Sequence, residues 1–242
     1  MHNTGERFFE QTKYPYLSEP DQEKGLPMPK MELPQPDAEL IDLPAPASLK
    51  VNTQSVFDAI NKRKSYRKYS DKPLSLEDLT WLLWATQGVK EQMPMTTKRT
   101  VPSAGSRHPF ETYLVVNNVT GLKPGLYRYM ALSHQLALIR EQRNISEELV
   151  PHCLNQKWIA EAAVTFIWVA VPYRTTWRYS ERGWRYLFAE AGHVCQSLYM
   201  ACSTINAGCC AVDAFYDNPL NDFLGIDGKD NFAIYLAPVG LV

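Results

Sequence analysis

The sequence has no long hydrophobic run, no excess of either charge and no leader of the secretory type. Its longest strongly apolar stretch, residues 162–172, is shorter than the roughly 20 residues that a membrane-spanning helix needs. Lys and Arg total 25 against 26 Asp and Glu, which argues against nucleic-acid or membrane-surface binding because both need a basic excess. The N-terminus lacks a basic start followed by an apolar run, so we expect a cytoplasmic protein.

Motifs for metals and nucleotides are also missing. The sequence has no G-x-G-x-x-G after a predicted strand and no G-x-x-x-x-G-K, which leaves a Rossmann or P-loop site unsupported. The five His are scattered, and none of the five Cys has C-x-x-C spacing, so we expect no metal. Cys195 and Cys202 are seven positions apart on one helix face and are interpreted as small buried residues. The role of the adjacent Cys209 and Cys210 stays open.

Proline is unevenly distributed, since eight of the 17 prolines fall within the first 46 residues. Proline removes backbone donors and fixes φ, so residues 1–46 are predicted to form an extended arm, neither a long helix nor a central strand. The arm is rich in apolar and aromatic residues, and we expect it to lie along a surface of its own subunit or of a partner. A disordered leader is the alternative. Residues 47–242 are predicted to form one domain.

Apolar periodicity and turn residues predict an α+β fold with one main sheet, because helices and strands alternate without a strict βαβ rhythm. Helices are predicted after Asn52 or Thr53 as cap and ending by Lys64, from Ser75 to Gly88, after Asn144, over residues 183–206, and from Asn218-Pro219 to Gly225. Strands are predicted at residues 111–117, 126–130, 135–139, 162–171 and 232–239. The fourth is predicted to be central, being apolar on both faces. Residues 209–215 are predicted as a loop or short strand.

A cluster of cations follows the first predicted helix. Residues 63–68 read Arg-Lys-Ser-Tyr-Arg-Lys, and guanidinium and hydroxyl donors of this kind suit a phosphate group. The alternative is that these cations only complement the dipole at the end of the helix. Two further segments, residues 99–109 and 206–212, hold small residues that would let backbone amides approach a planar ligand closely. Each feature alone is more typical of an ordinary loop.

In their order along the chain, these segments resemble the nitroreductase superfamily of flavin enzymes, and more closely its SagB-type dehydrogenase branch. The matching segments, over about residues 60–240, are RKSYRKYSDKPLSLEDLTWLLWATQG, RTVPSAGSRHPFETYLVV, GLKPGLYRYM, ERGWRYLFAEAGHVCQSLYMAC and YLAPVG. The resemblance implies a nitroreductase-like α+β fold with a mixed central sheet flanked by helices. It also implies FMN as the cofactor and a homodimer with two flavin sites at the subunit interface.

The same resemblance implies roles for individual residues. The core helix over residues 183–206 would pack on the partner subunit. Arg63, Lys64, Ser65 and Arg67 match the motif that binds the phosphate and ribityl chain of FMN. Pro102, Ser103, Ala104, Gly105 and Ser106 match a loop that reaches the flavin from the partner subunit. Gly208, Cys209 and Cys210 match the segment beside the flavin N5 edge, where a backbone N–H typically meets N5.

Two departures from the family pattern bear on function. Many nitroreductases also bind the phosphate with basic residues beyond the last strand, whereas residues 238–242 read Pro-Val-Gly-Leu-Val, and we expect Arg99 to substitute. SagB-type enzymes that oxidise thiazolines and oxazolines carry a Lys-Tyr pair where this chain has Arg178 and Tyr179. Arginine stays protonated and cannot act as a base, which counts against azole formation. Tyr179 is either a proton donor or a buried structural residue.

Three functions stay open, and the first is favoured: an FMN-dependent oxidoreductase that transfers hydride through flavin N5 from a donor such as NAD(P)H to an electron-poor acceptor. The second is a SagB-type dehydrogenase acting on a peptide or natural-product intermediate, and the third is a flavin-binding protein without turnover. One group of aromatic and basic residues forms either the mouth of a substrate site or a helix start packed at the dimer interface: Trp177, Arg178, Tyr179, Arg182, Trp184, Arg185 and Tyr186.

Overall fold

A seven-stranded sheet forms the centre of the computed structural model, which describes residues 3–50 and 54–242. The strands, in chain order, are β1 Glu39–Asp42, β2 Val89–Met93, β3 Thr96–Arg99, β4 Phe110–Val116, β5 Gly125–Met130, β6 Gln135–Glu141, β7 Val164–Ala170, β8 Ala207–Cys209 and β9 Phe232–Leu241. Their order in the sheet is β1-β6-β5-β4-β7-β9-β8, and β2 and β3 form a separate hairpin. All six pairings in the main sheet are antiparallel.

The sheet confirms the predicted α+β class, and each predicted strand differs from the observed one by at most two residues at either end. β7 is interior and buried along its whole length, as expected for a segment with two apolar faces. β4 lies between β5 and β7 and is equally buried. Polar and apolar residues alternate in its sequence, but exposed and buried residues do not. The sheet predicted as mixed is antiparallel in its strand pairings, and parallel pairing occurs in an isolated bridge between Ser65 and Cys209.

The helices flank this sheet. α3 begins with the predicted capping box, in which Ser75 and Asp78 each accept a hydrogen bond from the other's backbone N–H, and it ends at Gly88. None of the helices in the described ranges has the length and apolar character that crossing a bilayer requires. In chain order the helices are α1 Thr4–Gln11, α2 Val56–Lys62, α3 Leu76–Gln87, α4 Ile145–His152, α5 Tyr173–Tyr179, α6 Gly183–Ser203 and α7 Asp217–Leu224.

Several helix boundaries differ from the predicted ones. The predicted caps of α2, Asn52 and Thr53, lie outside the described residues, and the observed cap is Ser55, which accepts from the N–H of Asp58. α6 ends at residue 203 rather than 206. α7 begins at residue 217, which places its proline third rather than first in the helix, and ends at the left-handed Gly225 as predicted. α5 and the hairpin of β2 and β3 were not predicted.

Two cores lie on opposite faces of the sheet. Successive side chains of β7 point to opposite faces, and they belong alternately to the two cores. The larger core contains the apolar stripe of α6, which includes Leu187, Val194 and Leu198, packed with α3. The buried residues of α6 therefore form one apolar stripe at helical spacing. α4 and α7 cover the opposite face.

The N-terminal arm contains regular structure and is not merely extended. β1 adds an edge strand beside β6, and α1 opens with a capping box formed by Asn3 and Glu6. The C-terminal end of α1 is held by α6: Arg185 donates to the carbonyl of Phe9 (2.5 Å), and Arg182 donates to the carbonyl of Thr12 (3.1 Å). Carbonyls at a helix end lack partners within the helix, so these arginines satisfy them and dock α1 on its own subunit.

The middle of the arm is held by buried charges. The fully buried Arg174 forms an ion pair with Glu111 and donates to the carbonyl of Lys30 (2.8 Å). Glu111 also accepts from the N–H of Leu33 (2.8 Å), and the buried Arg128 donates to the carbonyl of that same residue. The backbone of residues 30–33 therefore supplies hydrogen bonds that the charges beneath it need, and the arm covers this part of the sheet.

Candidate functional site

The cation segment is attached to the sheet edge beside β8. Tyr66 donates its N–H to the carbonyl of Cys209 (3.0 Å), and Ser65 forms a parallel bridge with the same residue. A Cβ placed on Gly208 would lie 2.5 Å from ring atoms of Tyr66, so the absence of a side chain lets the segment approach this closely. The structure thus brings together two segments that the sequence assigned to one site, residues 63–67 and 208–210.

The cations of this segment are oriented but not neutralised. Arg63, Lys64 and Arg67 are exposed, and no carboxylate within the described ranges forms an ion pair with them. The Arg63 guanidinium lies over the ring of Tyr199 (5.4 Å to the centroid), and the Lys64 ammonium lies over the ring of Tyr66 (4.7 Å). Their positive charge is therefore available to an anion.

A cavity of about 180 Å³ lies between this segment and the C-terminal part of α6. Lys62 and Tyr199 are among the lining residues that were not predicted from the sequence. The Tyr199 hydroxyl accepts from the N–H of Ala211 (2.8 Å) and shares a hydrogen bond with the Ser65 hydroxyl (2.9 Å). Lys62 adjoins the cation run and could have been included in it. Tyr199 had no sequence signal because it lies 134 positions from Ser65.

The thiols beside this cavity are not activated. Contact with the Cys202 thiol and burial raise the pKa of Cys209, and burial raises the pKa of Cys210. Nucleophilic cysteines need the thiolate, so these side chains are suited to packing and not to covalent catalysis. The N–H of Cys210 donates to the carbonyl of Pro238 (3.3 Å), and that of Ala211 is used by Tyr199. Of the three residues that the resemblance places beside flavin N5, Cys210 therefore has its N–H engaged within the chain.

The loop of residues 102–106 forms a second cluster, against α5 and the N-terminal part of α6. The N–H of Ala104 donates to Glu190 Oε1 (2.7 Å), and the Ser103 hydroxyl accepts from the N–H of His108 (2.8 Å). Gly105 has φ +57°, and a Cβ there would lie 2.5 Å from the hydroxyl oxygen of Tyr179. The predicted loop and the predicted proton donor therefore lie in contact.

Glu190 is a site residue that the sequence analysis missed. It is buried in α6, and burial raises the pKa of its carboxyl group. Its carboxylate positions the loop through the N–H of Ala104. The sequence did contain a signal for this residue: a carboxylate stands on the apolar face of the helix, between Leu187 and Ala191. A charge on a buried face needs a specific partner, so such a residue is a candidate for a structural or functional contact.

Three of the seven residues of the predicted substrate mouth anchor the arm instead. Arg182 and Arg185 bind the end of α1, and the indole N–H of Trp177 donates to the carbonyl of Leu26 (3.0 Å). Trp184 stacks on Phe232, with the two rings 6.1 Å apart. The remaining members, Arg178, Tyr179 and Tyr186, stay beside the loop of residues 102–106, with the two tyrosine rings edge to face at 5.0 Å.

Arg99 does not lie with the cation segment, so its expected role as a replacement phosphate ligand is wrong. It is buried, and it donates to Gln87 Oε1 (2.9 Å). Burial lowers its pKa to about 10, opposed by the charge of Glu111 in β4. β4 and β8 are separated by β7 and β9, or three strand spacings, which amounts to about 14 Å.

The cation segment and the loop of residues 102–106 contact different parts of α6. Tyr199 contacts the cation segment and Glu190 contacts the loop of residues 102–106, and the nine residues between them correspond to about 14 Å of helix. Within the described residues, no group of His, Cys, Asp and Glu side chains could hold a metal ion. One chain therefore presents a cavity lined by cations that are unpaired within the described ranges and, apart from it, a glycine loop in contact with a tyrosine hydroxyl.

The antiparallel sheet and its flanking helices define an α+β class of protein. The model of the nitroreductase family matches residues 60–241, which is most of the chain. The chain therefore belongs to the nitroreductase family. Its relative MJ1384 of Methanocaldococcus jannaschii, described as a nitroreductase, is 35% identical over 210 residues, covering 87% of this chain and 96% of that protein.

Solved structures share the fold. A protein from Anabaena variabilis, also described as a nitroreductase, has a TM-score of 0.63 and 28% identity over 76% of this chain; the match spans only 37% of that longer chain. A chain of the E. coli microcin synthetase complex McbBCD, solved with truncated pro-MccB17 bound, has a TM-score of 0.63 and 18% identity, covering 82% of this chain and 76% of that one. At that identity the second likeness concerns the fold alone.

Proposed function

We propose that the protein is an FMN-dependent oxidoreductase of nitroreductase type, with flavin sites that form between two copies of the chain. The observation that carries this proposal is the group of cations at residues 62–67, which no carboxylate of the described chain neutralises and of which Lys62, Arg63 and Lys64 line a small cavity beside β8. Membership of the nitroreductase family supports the choice of FMN among phosphate-bearing ligands.

The residues present fit the phosphate end of FMN. Arg63 offers a planar fork for phosphate oxygens, Lys62 and Lys64 add ammonium groups, and the Ser65 hydroxyl adds a donor whose position Tyr199 fixes. The cavity of about 180 Å³ is smaller than the roughly 300–1,000 Å³ of most small-molecule sites. This chain therefore supplies one end of the site, and the flavin ring needs walls from elsewhere.

A second copy of the chain would supply those walls. The apolar side chains of α2 face solvent, with exposed fractions of 72% for Val56, 75% for Phe57 and 60% for Ile60. An apolar cleft of about 480 Å³ adjoins this helix, between Trp81 and Met200. A helix whose apolar residues point outward directly before the cation segment supports a homodimer interface at the site. The separated loop of residues 102–106 would then complete the partner's site.

When bound, FMN supplies hydride chemistry at N5 between a reduced donor such as NAD(P)H and an electron-poor acceptor such as a nitroaromatic or a quinone. The chain's own residues bind and orient it: the cation segment holds the phosphate, and the loop of residues 102–106 is kept in shape by Glu190. The Tyr179 hydroxyl, which lies against Gly105 of that loop, is the proposed proton donor to a reduced acceptor.

A second candidate is a SagB-type dehydrogenase that oxidises a peptide or natural-product intermediate. The fold likeness to a chain of the McbBCD complex favours it. Arg178 opposes its azoline-oxidising form, because a guanidinium cannot take up the proton that must leave the ring. Anaerobic addition of NADH and of NADPH to the FMN-loaded protein separates the candidates. Bleaching of the flavin supports the reductase, and an unbleached flavin with both donors excludes it.

Subunit complementation tests the shared site. One variant carries Arg63→Ala with Arg67→Ala, and the other carries Gly105→Val, whose side chain would collide with Tyr179. We expect neither homodimer to retain FMN on gel filtration, because each lacks one half of both sites. A heterodimer isolated with two different affinity tags should retain one FMN, since one of its two sites has both halves intact. The absorbance ratio of flavin to protein measures this directly.

Two results would contradict a flavin site shared between subunits. A heterodimer without flavin would mean that each site lies within one chain. A wild-type protein that is monomeric at micromolar concentration and still binds FMN would equally overturn the shared site, while leaving the redox function in place.

A further inference from the structure

Arg178, on the exposed side of α5, is a cation without a partner. Its neighbours in sequence are all engaged: Arg174 pairs with Glu111, and Arg182 and Arg185 bind the end of α1. Arg178 forms no hydrogen bond and no ion pair with any residue of the described ranges. Its guanidinium carbon lies over the ring of Tyr179, 5.7 Å from the centroid. Its five N–H donors are therefore available to a ligand.

The position of this guanidinium is set by the loop of residues 102–106. A Cβ placed on Gly105 would lie 3.0 Å from both Cδ and Nε of Arg178, and 2.5 Å from the hydroxyl oxygen of Tyr179. The arginine stem and the tyrosine hydroxyl thus rest side by side on the same glycine. A ligand that reaches the Tyr179 hydroxyl is within reach of the guanidinium as well.

Nearby acids do not neutralise this surface. The carboxylate of Glu190 is turned inward to the N–H of Ala104, and Glu181 is held by the backbone and hydroxyl of Ser18. Arg107 adds a second positive charge, and burial together with the charge of Arg178 lowers its pKa. The local excess is therefore positive, and an anion would relieve it.

We propose that Arg178 is a specificity-determining residue that binds the carboxylate of a planar, conjugated acceptor, an inference that rests on the proposed function of the adjacent loop in the flavin site. The guanidinium fork matches a carboxylate in a two-pronged hydrogen bond, and the tyrosine ring favours a flat conjugated body. The preferred substrate class is thus an anionic aromatic, such as a nitroaromatic carboxylate or a quinone carboxylate, over its neutral analogue.

The test compares 4-nitrobenzoate with 4-nitrobenzamide, which has the same shape and no charge. In Arg178→Gln, we expect kcat/KM for 4-nitrobenzoate to fall by about 10- to 100-fold, mostly through KM, while that for 4-nitrobenzamide changes less than about threefold. Arg178→Lys keeps the charge without the fork and should retain an intermediate preference. Arg143→Gln, an exposed arginine before α4, is the matched control and should behave as the wild type.

Calorimetric titration of the FMN-loaded protein with benzoate, which is not reduced, provides a readout besides turnover. Benzoate should bind the wild type and bind Arg178→Gln about tenfold or more weakly. If Arg178→Gln lowers kcat/KM equally for 4-nitrobenzoate and 4-nitrobenzamide, or lowers it for neither, the role of Arg178 is overturned. The proposed function still stands in that case, provided that the protein shows the flavin spectrum and reduces 4-nitrobenzamide. A wild-type protein that retains no flavin overturns both.

Discussion

Replacing Glu111 by alanine is expected to lower the free energy of unfolding by about 3–5 kcal/mol. The substitution leaves the buried guanidinium groups of Arg174 and Arg128 without their counter-charge, and it also removes the acceptor for the N–H of Leu33. Breaking a buried pair costs far more than an exposed pair because the remaining charge stays out of water. Chemical denaturation followed by circular dichroism measures the change.

Glu141→Ala is the matched control for this substitution. Glu141 forms an exposed ion pair with Lys123 (2.7 Å), so its removal should lower the free energy of unfolding far less than Glu111→Ala does. We also expect the arm to become sensitive to protease in Glu111→Ala but not in the control, since Glu111 binds the arm backbone directly. Equal stability of the two variants would contradict the network described for the arm.

Replacing Gly208 by alanine is expected to remove most of the affinity for FMN. The added methyl group would collide with the Tyr66 ring at 2.5 Å, which forces the cation segment away from β8. Overpacking of this kind costs about 1–3 kcal/mol of stability. Displacing one charge-assisted hydrogen bond to a phosphate weakens binding by about tenfold or more, so the dissociation constant for FMN should rise accordingly.

Gly192→Ala isolates this effect from the general consequences of replacing glycine. Gly192 lies exposed in α6 with no atom within 4 Å of an added Cβ, and alanine there favours the helix by about 1 kcal/mol. Fluorescence titration with FMN should therefore give the wild-type constant for Gly192→Ala. Unchanged affinity in Gly208→Ala would show that the close approach of Tyr66 to β8 does not shape the site.

Local signals in the sequence predicted much of the scaffold. The pair Ser75 and Asp78 announced the start of α3, and the two-sided apolar run at residues 162–171 identified the interior strand β7. The capping residues Asn3 and Glu6 were also present in the arm, but the abundance of proline after them favoured an extended chain. A short helix beside prolines needs docking partners, and these lie on α6, more than 160 positions away.

The site was predictable as separate segments but not as an arrangement. The cation run and the glycine-containing loops are readable in sequence, and so is the lone carboxylate Glu190 on an apolar helix face. The fate of each arginine was not. Arg174 is buried because Glu111 and a backbone carbonyl from the distant arm accept its hydrogen bonds, and Arg99 is buried with the side-chain oxygen of Gln87 as acceptor, whereas Arg178 remains free on the surface. Composition and spacing carry no information about such partners, which only the fold brings together.

The most direct test of the central claim is the visible absorbance spectrum of the purified full-length protein after incubation with FMN and gel filtration. We predict flavin bands that co-elute with the protein at one FMN per chain, and their loss in Arg63→Ala with Arg67→Ala, since Arg63 lines the cavity and both exposed cations belong to the segment proposed to hold the phosphate. FMN concentrations up to about 1 mM are well above those at which specific cofactor sites fill. If the folded wild-type protein elutes without visible bands after incubation at such concentrations, the assignment of the cation segment as a flavin site is contradicted.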